Sequence, residues 1–176
     1  TVEFSSSPGL GISSSLPAAV DTISVPADTC VVADLDVDMV IDHTWIGDLT
    51  ITLAHDSGAT QELWGSNCGS VDHIDAIFDD EGAVPGGTCV TYYANPPGSA
   101  IQTPNCMLDG DCLDVFDGVL CDGDWTVTVS DGVGGDTGTL ITWGLIFGQG
   151  EPTCEPFPPC EPGGGTSEPD EEPEDP

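Results

Sequence analysis

The 176-residue chain carries Lys+Arg 0 against Asp+Glu 32, a formal net charge of -32. That balance leaves no Lys or Arg for a surface ion pair, and on sign alone it argues against nucleic acid and against anionic membranes as partners. Eight cysteines without any C-x-x-C, beside only three histidines, argue against zinc and for disulfides, an oxidising compartment and secretion.

Residues 1–19 are Ser/Pro/Gly-rich and aperiodic. They read as an N-terminal arm, with Phe4, Leu10 and Ile12 able to dock on a sheet edge. The polar start reads as a mature or excised form, and no membrane-inserting run is found. Residues 20–150 hold the regular pattern. A first strand is expected over 20–25, ended by Pro26. Leu35, Val37, Met39 and Ile41 then alternate with Asp34, Asp36, Asp38 and Asp42, the period-two pattern of a strand with one buried face. The same pattern returns at Leu49, Ile51 and Leu53, so the spacing predicts a hairpin turning at residues 46–48. Gly47 would permit the tight turn, and Asp34, Asp36 and Asp38 would form a solvated carboxylate row.

Residues 60–64 read as a short strand and 65–70 as a loop anchored by Cys68. Residues 71–87 read as an acidic loop, and 88–93 as a strand stopped by Pro96 and Pro97. Residues 101–121 hold many turn formers, with Leu113, Val115 and Phe116 packing as a short segment. The last clear strands are 125–129 and 139–147, joined by a loop over 131–138. Residues 151–176 form a Pro/Glu-rich acidic tail or linker, too polar for a core. With no helical periodicity, many short strands separated by Gly/Asp turns predict an all-β sandwich.

The heptapeptide His43-Thr44-Trp45-Ile46-Gly47-Asp48-Leu49 resembles the signature of the P domain, or Homo B domain, that follows the catalytic domain in kexin-like and furin-like subtilases and occurs in other secreted bacterial proteins. LAHDSGAT at 53–60, the acidic loop at 78–81, GDWTVTVSD at 123–131 and GDTGTL at 135–140 with Trp143, Leu145 and Phe147 resemble further motifs of that family, in its order. The resemblance covers residues 12–148 and implies a jelly roll whose final two strands make a hairpin. Two features depart from it: Asp56 stands where the family commonly has Pro, and the family pattern does not call for eight cysteines.

Calcium is the chemistry these carboxylates suggest, because it takes about 6 to 8 oxygen ligands from turn carboxylates and carbonyls. Asp48, the Asp79-Asp80-Glu81 cluster, and Asp131 with Asp136 lie on turns that a jelly roll could bring to one end, and the resemblance associates the matching loops with Ca2+. Asp109, Asp111 and Asp114 form a second candidate cluster, without the bidentate Glu of an EF-hand. His43 is expected to brace the 43–49 turn rather than act as a base. No Gly-x-Ser-x-Gly elbow accompanies it, and the acids lie in polar loops unsuited to glycosidase chemistry. The four tryptophans are expected in the core; exposure of Trp45 or Trp64 would favour a sugar platform.

Eight cysteines allow about 105 pairings. Short separations favour Cys106 with Cys112 and Cys154 with Cys160; Cys68 with Cys89 would then staple the acidic loop, leaving Cys30 with Cys121. The sequence thus predicts a secreted, non-catalytic, calcium-binding module that self-associates as a homo-oligomer or polymer in a surface layer or fibre. An accessory domain stabilising a protease catalytic domain is the alternative, and a calcium-dependent carbohydrate-binding module the second alternative. No Asn-x-Ser/Thr sequon occurs, so an attached glycan would be O-linked at the Ser/Thr-rich ends.

Overall fold

The computed structural model describes residues 1–27, 30–80, 101–102 and 113–148. Ten strands run in order: β1 (Val2–Ser6), β2 (Leu10–Ile12), β3 (Ala19–Val25), β4 (Leu35–His43), β5 (Leu49–His55), β6 (Thr60–Gly65), β7 (Ile74–Phe78), β8 (Ile101–Gln102), β9 (Gly123–Asp131) and β10 (Gly138–Phe147). They form two sheets. One has the order β1-β10-β4-β7-β8, with β2 also paired to β10; the other has the order β3-β9-β5-β6. Among the described strands, only the short β7–β8 pair is parallel. Reading β1 and β2 as one interrupted strand, this order is that of a jelly roll.

Alternation builds the core between the sheets. Leu35, Val37, Met39 and Ile41 point inward from β4 towards Leu49, Ile51 and Leu53 of β5, all buried. Trp64, Trp125 and Trp143 are also fully enclosed. Their indole N–H groups donate to the Ile46 carbonyl (2.9 Å), the Cys121 carbonyl (2.8 Å) and Asp21 Oδ2 (2.7 Å). Each large apolar surface is therefore buried without stranding its polar atom. The Cys30–Cys121 disulfide closes a sequence separation of 91 and joins the two cysteines left over in the sequence assignment, and Cys68 is disulfide-bonded too. Cys89, Cys106, Cys112, Cys154 and Cys160 lie outside the described residues.

The structure corrects several expectations. β4 and β5 do not form a hairpin: β4 pairs with β10 and β7, whereas β5 pairs with β9 and β6. Residues 43–49 instead carry the chain from one sheet to the other, with a 3-10 turn at Ile46–Asp48. The final two strands likewise lie in different sheets. Both linkages join strands with one buried face, and that pattern is identical whether the strands pair or face each other across a core. The stretch read as an acidic loop contains β7. Its Asp75 is 2% exposed, and a carboxylate enclosed within IDAIF hides the strand signal. The N-terminal residues lie along β10 as β1 and β2, with Phe4 edge-on to Phe147 at 6.2 Å. The expected strand over 88–93 and the tail 151–176 fall outside the described residues.

Candidate functional site

The 43–49 crossing is built from its histidine outward. His43 is fully buried, and its Nδ1 accepts the Trp45 backbone N–H at 3.1 Å, which places the proton of the neutral ring on Nε2. Nε2 faces Asp131 Oδ2 at 3.6 Å, both side chains being enclosed. Asp131 in turn accepts backbone N–H groups from Ser14 (3.1 Å) and Val133 (3.0 Å), and the Thr44 hydroxyl donates to Asp136 Oδ1 at 2.7 Å. His43 therefore braces the crossing, as its sequence context suggested.

Gly47 serves a purpose other than turning. A Cβ there would lie 2.5 Å from Gly69 Cα and 2.6 Å from Gly69 N, because the 66–71 loop packs directly on the crossing. Backbone bonds from Ile46 N–H to the Val71 carbonyl and from Gly47 N–H to the Gly69 carbonyl, each 2.9 Å, fasten that loop. Around this end Trp45 is 42% exposed, with Leu16 and Val133 exposed beside the Asp131 loop. Trp45 is the one tryptophan outside the core.

The predicted calcium ligands do not gather at one place. Asp48 and Asp131 lie at the crossing end, where Leu49 pairs with Asp131 and the Asp48 carbonyl accepts Gly132 N–H at 2.8 Å. Asp136 is tied to the same end through Thr44. Asp79 and Asp80 follow Phe78, which pairs with Val37 near the opposite end of β4. Six residues of strand separate Val37 from His43, about 20 Å. The geometry thus divides the expected site in two. Glu81, Asp109 and Asp111 lie outside the described residues; Asp114 sits in a 3-10 turn at Leu113–Phe116.

At the opposite end the carboxylates crowd without converging. The Asp36 carboxyl is pushed up to about 7, first by burial and then by the charges of Asp79, Asp34 and Asp80. Asp117 is raised by burial and by Asp114, Asp80 and Asp34. Asp38 is raised by burial, Asp75 and Glu3. Asp36 and Asp38 are half-buried, so the row expected to be solvated is partly enclosed. Sequence reasoning missed this crowd because it joins the start of β4 to the end of β7. Among the described residues no group of three or more His, Cys, Asp or Glu side chains is arranged to hold a metal ion. At the crossing end Asp131 Oδ2 and Oδ1 accept the Ser14 and Val133 N–H groups and Asp136 Oδ1 accepts the Thr44 hydroxyl, so these loops are tied by hydrogen bonds among themselves.

The other histidines are structural. His55 Nδ1 accepts Ser57 N–H at 3.2 Å, its Nε2 lies 3.1 Å from the Asp122 carbonyl, and its ring packs on Trp125 at 4.4 Å. His73 Nδ1 lies 2.8 Å from Asp42 Oδ1. Asp56 ties the end of β5 to β9: its N–H donates to the Asp124 carbonyl (3.1 Å) and its Oδ2 accepts Asp124 N–H (3.2 Å). No helix of the described residues is long and apolar enough to cross a membrane.

No family model and no curated protein matches this chain. Among solved structures it is similar to the serine protease of Aeromonas sobria, at 16% identity, and to a chain of that protease's complex with its chaperone, at 17%, with a TM-score of 0.46 in both cases. Each match covers 82% of this chain and 26% of the other, so the chain spans about a quarter of the length of those neighbours.

Proposed function

We propose that this chain is a non-catalytic, extracellular accessory module that stabilises the polypeptide to which it belongs, a subtilisin-like protease catalytic domain being the first partner to test. The observation that carries the reading is the role of the family-like motifs in the fold. HTWIGDL makes the sheet-to-sheet crossing, and GDWTVTVSD makes β9, which pairs with both β3 and β5. His43, the histidine beside these motifs, is sealed from any substrate. The Cys30–Cys121 disulfide supports a secreted location. Trp45, Leu16 and Val133 offer the adjoining domain an apolar contact. Hydrogen exchange on the parent polypeptide tests this: amides of residues 44–48 and 131–137 should be protected at least tenfold more in the parent than in the isolated chain. Equal protection in both would remove the docking role.

A second reading keeps calcium and self-association. The crowding that lifts Asp36 to about 7 favours it, since no Lys or Arg is available to relieve that charge. Here Ca2+ acts as a counter-ion gathered by Asp34, Asp36, Asp79 and Asp80 and allows acidic copies to approach one another. Titrating calcium while following sedimentation separates the readings, because only this one requires larger species to appear with the metal and to vanish in EDTA.

A further inference from the structure

The outer face of the β3-β9-β5-β6 sheet differs from the rest of this acidic molecule. In register across it, Thr22 lies beside Thr126, Thr128 beside Thr52, and Ser130 beside Thr50. All six side chains alternate outward, between the buried Ile23, Trp125, Val127, Val129, Ile51 and Leu53. Thr22 and Thr126 share a hydroxyl–hydroxyl bond of 2.9 Å. Asp124, Asp56 and Glu62 are carboxylates at the margins of this face, Asp124 beside Ser24 and bonded through its N–H to Asp56, Glu62 beside Thr52, and exposed Val20 lies next to Thr128. Outward positions on β4 of the other sheet instead read Asp36, Asp38, Val40 and Asp42.

We infer that this hydroxyl face binds a neutral polysaccharide, without calcium. Each hydroxyl both donates and accepts, as sugar hydroxyls do. Their backbone positions repeat about every 4.8 Å across strands and about every 6.7 Å along them, a fixed two-dimensional array against which a polymer can make many weak contacts. β-Branched threonine loses little rotamer freedom when it does so. Charge selects among occupants. A nucleic acid or a second copy of this chain brings negative charge towards a molecule of formal net charge -32, whereas a cationic partner is drawn to the carboxylate faces. A neutral polyhydroxyl chain meets neither obstacle. This inference is independent of the accessory reading above.

The test is retention of the purified chain on microcrystalline cellulose, chitin and starch in EDTA, with polygalacturonate as a charged control. Retention on at least one neutral polymer and none on the control is expected. Thr52→Val with Thr128→Val keeps the shape of the face and removes two hydroxyls; at roughly threefold to tenfold in affinity per hydrogen bond, this should weaken binding about ninefold to a hundredfold. Glu3→Gln on the other sheet should leave binding unchanged, and melting curves confirm that each variant is folded. Absence of retention on all three polymers would overturn the inference. So would binding by the double variant at the original strength, or retention on polygalacturonate as strong as on the neutral polymers.

Discussion

Substituting Gly47 by alanine tests the packing at the crossing most severely. The new methyl would sit 2.5 Å from Gly69 Cα and 2.8 Å from the Gly69 carbonyl oxygen, all backbone that no side-chain rotation can move away. Forcing a methyl into a filled site costs about 1–3 kcal/mol. Displacing the 66–71 loop also weakens the bonds from Ile46 to Val71 and from Gly47 to Gly69, at about 1 kcal/mol each. The sum, ~3–5 kcal/mol, corresponds at this chain length to a Tm lower by about 6–20 °C. Gly69→Ala is the control. Its φ of +48 strains alanine, yet nothing lies within 4 Å of the added Cβ, so its cost is about 1 kcal/mol. Circular-dichroism melts of both variants, with disulfides intact, read the difference. A Gly47→Ala protein that melts within 1 °C of the parent, or above Gly69→Ala, would refute this account of the crossing.

Asp36 holds its proton in the folded state to about 7 against 3.8 when unperturbed, so folding binds a proton between those values and stability falls as pH rises from about 4 to about 7. Asp36→Asn should therefore raise Tm at pH 8 and leave it little changed at pH 4; the opposite pattern in a pH series of melts would exclude the crowding. Millimolar Ca2+ should also raise Tm at pH 8, and Asp36→Asn with Asp79→Asn should diminish that gain, as read by scanning calorimetry. Replacing Cys30 and Cys121 by alanine opens a closure of separation 91, for which chain entropy suggests a loss of about 4 kcal/mol, measured by urea unfolding. Trp143→Phe leaves Asp21 Oδ2 without its 2.7 Å donor and opens a cavity where the rest of the fully buried indole lay, and should cost about 2–4 kcal/mol in the same assay.

Alternation made the sandwich legible, because Leu35, Val37, Met39 and Ile41 can bury one face only as a strand. Which sheet each strand joins was not legible. A hairpin and a crossing present the same period-two pattern, and the direction taken at residues 43–49 depends on loop 66–71, distant in sequence. The placement of the candidate ligands was hidden for a related reason. Asp48, Asp79 and Asp131 each look like turn ligands, but the length of β4 separates Asp79 from Asp48 and Asp131, while Asp36 becomes unusual only through burial and neighbours brought by β7. The His43 brace was readable, since a histidine opening a tight Gly-containing connection has backbone donors within reach.

The central claim, that this jelly roll stabilises a larger extracellular polypeptide, is tested most directly by the heat-inactivation half-life of that parent protein with and without the jelly roll. The account predicts a half-life at least tenfold shorter once the jelly roll is removed, and an intermediate value when Gly47→Ala loosens the crossing. Equal half-lives for all three proteins would contradict it.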